Sequence, residues 1–292
     1  MKTKQITFKR KDLPYLFILP EAVIILVFFF YPAVQAIYQS FLREDPFGLS
    51  RTFVGLANYQ AIFSNSLYLK SVVTTIQISL FTTASTMLVG LLLAWLVHNL
   101  PRSRGYQTMI IWPYALAPAV AGVVWYFLFN PTVGVVAYVL SSLGVEWDHL
   151  LNGRHALLLV VIAVSWKQVS YNFLFYLAGL KSIPRSLIES ATVDGASRIT
   201  TLRAVVVPML APTTAFLLTM NILYSLFESF GTIHQLTRGG PNHATETLVY
   251  KVYSDGFLGL NLGGSSAQSV VIMVCAILLT VFQFTATDKK VR

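Results

Sequence analysis

Charge is scarce in this sequence. Only 11% of its 292 residues are Asp, Glu, Lys or Arg, while 55% are hydrophobic. Soluble domains carry about 25% charged residues, so the composition excludes an ordinary water-exposed globule and points to a membrane protein. Cysteine is scarcer still. The single Cys275 excludes a disulfide framework or a Cys-based metal site within the chain, and its position in an apolar run reads as a small buried hydrophobe. Catalytic signatures are missing as well: there is no GxxxxGK(S/T) phosphate loop, no HExxH and no GxSxG elbow. The five histidines, His98, His149, His155, His234 and His243, lie near the ends of apolar runs or in loops, without metal-ligand spacing. The chain reads as a non-enzyme with no metal and no cofactor of its own. If its work uses ATP, another chain must bind and hydrolyse it. No fixed-period repeat and no low-complexity segment is present.

What the sequence has is apolar runs of membrane length. A crossing helix needs about 20 predominantly apolar residues. Six windows meet that: about 16–37, 72–97, 108–129, 156–180, 212–230 and 267–284. The first is too long for the core of a cleaved signal peptide and no A-x-A site follows, so it is expected to be a retained span. The prediction is an all-α polytopic membrane protein, a single domain over 1–292 with both termini on one side. If that side is cytoplasmic, the inside segments hold Lys2, Lys4, Lys9, Arg10, Lys11, Arg102, Arg104, Lys181, Arg185, Arg198, Arg203, Lys289, Lys290 and Arg292. The outer loops, about 43–70, 131–155 and 231–265, hold only Arg43, Arg51, Lys70, Arg154, Arg238 and Lys251. The excess fixes an inside-facing N-terminus. It also accounts for the net charge of +9 without a nucleic-acid partner. Pro113 and Pro118 in the third window, with Ala115/Ala119 and Ala117/Ala121 at small-xxx-small spacing, predict a kinked helix that another backbone approaches closely.

A polar island, residues 182–212, separates the fourth and fifth windows. Pro184 suits a helix start and Gly195 after Asp194 suits a left-handed stop, so two short helices joined at Gly195 are expected. Leu187, Ile188 and Ala191 share one face of the first, with Arg185 and Glu189 pointing away. That apolar face calls for a partner outside the bilayer.

Polar groups at membrane depth are costly and mark function by default. Lys167 falls near the middle of the fourth window with Tyr171 at i+4 and Gln168, Ser170 and Asn172 beside it. In the fifth, Asn221, Tyr224 and Glu228 recur at i, i+3 and i+7. These residues are the candidate lining of a solute pathway. The alternative is that Lys167 and Glu228 merely pair or contact a neighbouring subunit. Glu21 and Gln268 are expected near the membrane surfaces.

The pattern Glu189-Ser-Ala, three residues, Gly195, nine residues, Val205-x-Val207-Pro208 resembles the EAA loop of ABC importer permeases. It departs from the usual form at Ser190, Val205 and Val207. The resemblance implies a coupling helix docked on an ATPase subunit through Leu187, Ile188, Glu189, Ala191, Asp194, Gly195 and Pro208. The GGP motif at Gly239–Pro241, with Thr247, Tyr250, Tyr253 and Gly256-Phe257, is similar to carbohydrate-type permeases related to the maltose importer. DPFG at 45–48, WPYALAPAVAGVVWYFLFNP at 112–131 and WKQVSYNFLFYLAGLKSIPRSLIE at 166–189 look like the branch that imports sn-glycerol-3-phosphate. That likeness implies a second homologous permease, an ATPase dimer and a periplasmic solute-binding protein around an inner-membrane subunit in lipid. A neutral sugar is the rival cargo, and an ion-coupled carrier the rival mechanism.

Overall fold

The computed structural model describes residues 13–45 and 49–291. The basic N-terminal cluster Lys2, Lys4, Lys9, Arg10 and Lys11, the residues 46–48 of the DPFG segment and Arg292 lie outside the described residues. In chain order the helices are α1 (Tyr15–Gln39), α2 (Ala57–Ser64), α3 (Ser66–His98), α4 (Arg104–Ala115), α5 (Pro118–Phe129), α6 (Val135–Ser142), α7 (Gly153–Ser182), α8 (Arg185–Val193), α9 (Ile199–Met209), α10 (Ala211–Leu236), α11 (Leu248–Tyr253) and α12 (Leu262–Gln283). Five of them, α1, α3, α7, α10 and α12, are long and apolar enough to cross a membrane. A sixth span exists only if α4 and α5, bent by 100° from one another, are taken as one. The expected kink is therefore a break. Pro113 sits in a 3₁₀ turn, Leu116 and Ala117 are extended, and Pro118 opens a new helix as its first residue.

Contacts divide the chain into two units, Met1–Ser64 with Asp255–Val271, and Asn65–Ser254 with Ile272–Arg292. In the first, a two-stranded antiparallel ribbon, β1 (Leu42–Glu44) with β2 (Arg51–Phe53), pairs Leu42 with Phe53. The Asn58 side chain donates to the carbonyls of both Ser40 and Leu42 at 2.8 Å. Gly263 lies so close to the Leu42 carbonyl that no side chain fits there. Gln268 is buried and donates to Asp255 at 2.6 Å. In the second unit, Cys275 is exposed rather than buried. It sits on a lipid-compatible helix face, where an apolar run does not require burial against protein.

The second unit holds two apolar cores. One gathers Ile78 of α3, Leu159, Val160 and Val164 of α7, and Ile233 and Leu236 of α10. The other gathers Ala94 and Val97 of α3, Phe173, Tyr176 and Leu180 of α7, and Leu210 and Leu217 around the start of α10. Between them, each helix contributes polar residues at the same level. These are Thr82, Thr83 and Thr86 from α3, Ser165, Lys167, Gln168, Ser170 and Asn172 from α7, and Asn221, Ser225 and Ser229 from α10, all buried. The helices can pack this closely because Gly90 faces the Cβ of Asn172, where an added Cβ would stand 2.6 Å away. Likewise Gly122 of α5 faces the Thr232 carbonyl of α10, and the Thr232 hydroxyl donates to the Pro118 carbonyl at 3.0 Å. Small residues here do what they do between membrane helices generally, bringing backbones into contact.

Candidate functional site

The polar layer is where the sequence-predicted pathway residues meet. Lys167 is the fifteenth of the 30 residues of α7 and only 7% exposed. Its ammonium lies 5.1 Å from the ring centroid of Tyr114 and 5.5 Å from that of Tyr224. Among the described residues it forms no ion pair, and no carboxylate oxygen, that of Glu228 included, lies within 4.0 Å. Two aromatic faces therefore hold the cation, a contact worth about 0.5–2 kcal/mol. Its three N–H donors are not taken up by a carboxylate.

Beside it a cavity of about 360 Å³ is lined by Tyr114, Gln168, Tyr171, Met220, Leu223, Tyr224, Phe227 and Glu228. That volume suits a small molecule. The buried Gln168 Oε1 has no hydrogen-bond partner among the described residues, so the wall offers an open acceptor. Residues 224–228 form a π turn, a widening frequent at functional sites. It keeps Tyr224 and Glu228 together on the cavity wall, with Glu228 at the exposed rim.

Two of the predicted residues do something else. Asn172 and Asn221 are fully buried, and each donates its amide N–H to the other's carbonyl oxygen, at 2.9 and 2.8 Å. The second N–H of Asn172 is taken by the Gln168 carbonyl at 2.9 Å. The pair ties α7 to α10 and is fully buried between them. Tyr114 is the residue that sequence reasoning missed. Its signal was present in the two prolines, since a span broken at membrane depth presents its ends to a site.

The hairpin has the predicted form. Gly195 adopts φ +76°, Gly195 N–H bonds the Thr192 carbonyl and Ala196 N–H the Ala191 carbonyl, which is the Schellman closure of a helix end. Asp194 occupies the C-cap, and Glu189 and Asp194 are exposed. Pro184 precedes the first helical turn rather than entering it. The apolar face is divided. Ile188 packs on the second core, Ala191 is half-buried, and Leu187 stays 40% exposed. Val193 and Ile199, 87% and 64% exposed, extend that outward apolar surface. Pro208 follows a π turn at Leu202–Val206, in which the Val207 N–H reaches back to the Leu202 carbonyl. The turn accommodates a residue with no N–H to give.

A membrane-spanning bundle with a broken span, a mid-depth polar cavity and an exposed amphipathic hairpin between two of its spans has the features of a transport permease. Residues 86–292 match the family described as the binding-protein-dependent transport system inner membrane component, and the chain belongs to that family. It is thus a multi-pass inner-membrane subunit of a transport system, not an enzyme. It is 53% identical over 289 residues, 99% of both chains, to the sn-glycerol-3-phosphate transport system permease protein UgpA of Rhizobium meliloti (strain 1021). To the protein of the same name from Escherichia coli O157:H7 it is 48% identical, over 100% of this chain and 99% of that one. In fold it resembles a solved bacterial ABC transporter involved in the import of the acidic polysaccharide alginate, with a TM-score of 0.83 at 22% identity over 96% of each chain. A second alginate transporter structure, in complex with an alginate pentasaccharide-bound periplasmic protein, gives a TM-score of 0.81 over 94% of this chain and 93% of that one.

Proposed function

We propose that this chain carries sn-glycerol-3-phosphate across the inner membrane by alternating access. The observation that carries the proposal is the Lys167 ammonium, buried at mid-span, held by two tyrosine faces and paired with no carboxylate among the described residues. A phosphate monoester is a small dianion, and charge-assisted N–H···O bonds from such a cation are the strong kind. Tyr171 and Tyr224 supply neutral hydroxyl donors, and the open Gln168 acceptor suits a glycerol hydroxyl. Glu228, at the rim, faces the hydroxyl end rather than the phosphate. Full-length relatives bearing this cargo in their names support the reading.

The proposed assembly has this permease, a second homologous permease, an ATPase dimer and a periplasmic solute-binding protein, with ATP bound by the ATPase. The Lys and Arg excess supports placing both termini and the 182–212 hairpin in the cytoplasm. The exposed Leu187, Val193 and Ile199 then dock on the ATPase around Glu189, Asp194 and Gly195. Closure of the ATPase dimer rocks α7 and α10, which the hairpin joins, and turns the polar cavity outward.

The complete complex in proteoliposomes tests the cargo. Uptake and ATP hydrolysis are expected to rise with binding protein loaded with glycerol 3-phosphate and not with a disaccharide; the reverse result overturns the proposal in favour of a neutral sugar. Uptake that persists without the ATPase would place the chain among ion-coupled carriers.

A further inference from the structure

His149 has no role in the site described above, yet it is the most anomalous polar residue in the second unit. It is 1% exposed, and neither ring nitrogen has a partner with hydrogen-bond geometry. The nearby Phe129 carbonyl takes the Trp147 indole N–H at 3.1 Å. The imidazole is gripped by aromatics, edge to face with Tyr126 at 5.9 Å and tilted against Trp147 at 6.5 Å. A buried imidazole with no well-formed hydrogen bond needs an explanation.

His149 lines a cavity of about 530 Å³, walled by α5 through Val123, Tyr126 and Phe127 and by the end of α10 with the loop Thr237–Pro241. The cavity lies beyond the first apolar core, at the end of the unit opposite the hairpin, as the chain positions of 149 and 235–241 require. Arg238 and Gln235 stand exposed on its wall. Arg238 adopts φ +51° and forms no ion pair among the described residues. The neighbouring carboxylates are occupied. Asp148 accepts the N–H groups of Leu150 and Leu151 at 2.8 and 3.1 Å, and Glu246 binds His243 at 2.7 Å.

We propose that this cavity is a second solute subsite, binding a small hydroxylated anion through Arg238, with His149 on its hydroxyls. It would act as a staging point between the binding protein and the Lys167 cavity. Burial pushes the His149 pKa down, with Asp148 and the Phe129 carbonyl acting against it and neighbouring His155 in the same direction. The ring is then neutral near pH 7 and carries one donor and one acceptor nitrogen. The Phe129 carbonyl stands on the donor side of the ring, which leaves an acceptor nitrogen for the cavity. A carboxylate of the binding protein has no proton to give it, whereas a hydroxyl does. A molecule with a hydroxyl and one phosphate therefore meets one ring nitrogen and the guanidinium together. The identity of the anion rests on the cargo proposed above; the subsite's chemistry rests on His149 and Arg238.

The test uses the complete complex in lipid nanodiscs without binding protein, and reads ³¹P line broadening of glycerol 3-phosphate. Broadening is expected with the wild type, and the part that remains in Lys167→Gln, where the mid-span site is lost, reports this cavity. In that Lys167→Gln background it should fall about tenfold or more with Arg238→Gln, the loss of one charge-assisted contact, and again with His149→Phe. Arg238 is exposed, so its variant decides even if His149→Phe fails to fold. Broadening that is absent in the wild type or unchanged in Arg238→Gln overturns the subsite. A weakened affinity for loaded binding protein with the ³¹P signal unchanged also overturns it and makes the cavity a docking contact. Uptake measured alongside separates the two proposals. Wild-type proteoliposomes that do not take up glycerol 3-phosphate sink the cargo; uptake with an unchanged Arg238→Gln signal sinks the subsite alone.

Discussion

The hairpin and the mid-span layer are both polar interruptions of apolar sequence, but their polar groups are used in opposite ways. In the hairpin the bonds are local. Gly195 and Ala196 close on carbonyls three and five residues back, the Ser190 hydroxyl donates to the Leu187 carbonyl, and Glu189 and Asp194 face outward. In the layer the bonds reach across the fold, Asn172 to Asn221, Ser85 to Ser165 and Ser170 to the Ile110 carbonyl. A segment whose geometry is fixed by its own backbone can be pushed as a body. A layer whose geometry is fixed by its neighbours registers every movement between them. That division suits a machine in which one region transmits force and the other recognises cargo.

The largest effect should come from breaking the local closure. Gly195→Pro fixes φ near −65° where the hairpin needs +76° and removes the N–H bonded to Thr192. Uptake should be abolished while the protein still reaches the membrane. Glu189→Lys, which leaves the backbone alone and reverses an exposed charge, should do the same by weakening ATPase association. Full transport with normal co-purification of the ATPase in both variants would remove the transmission role.

A smaller effect is expected from the layer's open member. Lys167→Gln keeps a hydrogen-bonding side chain but no cation, and the loss of a charge-assisted bond corresponds to about 10–100-fold in uptake of the phosphate ester. ATPase association should be normal, because the hairpin is untouched. Equal uptake by the variant and the wild type would move phosphate recognition to the second permease.

How much of this was legible in advance follows the same division. The turn of the hairpin was legible, since Gly195 and its spacing encode a structure that depends on nothing distant, whereas the division of its apolar face, with Ile188 on the second core, was not. The spans were legible from apolar length, and their break from Pro113 and Pro118, though not the 100° angle, which depends on how α5 packs against Gly231 and Thr232. The layer was legible as residue types but not as partners. Helical spacing placed Asn221 with Tyr224 and Glu228 on one face. In the bundle Tyr224 and Glu228 stay together on the cavity wall, while Asn221 turns to the facing Asn172. Tyr114 and His149 come from different segments, and only the assembled bundle brings one over Lys167 and the other into a cavity.

The closed pair supplies the smallest and most discriminating prediction. If Asn172 and Asn221 tie helices rather than bind cargo, their loss should appear in stability before function. Asn172→Leu deletes both reciprocal bonds and leaves the fully buried Asn221 amide unsatisfied, a cost of about 1–3 kcal/mol. The Asn172→Leu/Asn221→Leu double variant removes both polar groups and should recover most of that loss, because a bonded pair within membrane helices contributes only about 0.6–2 kcal/mol. The midpoint of thermal unfolding in detergent reads both outcomes. A double variant that is stable yet loses binding of the phosphate ester as Lys167→Gln does would show that the pair belongs to the recognition surface after all, and would erase the line drawn between the closed and open halves of the layer.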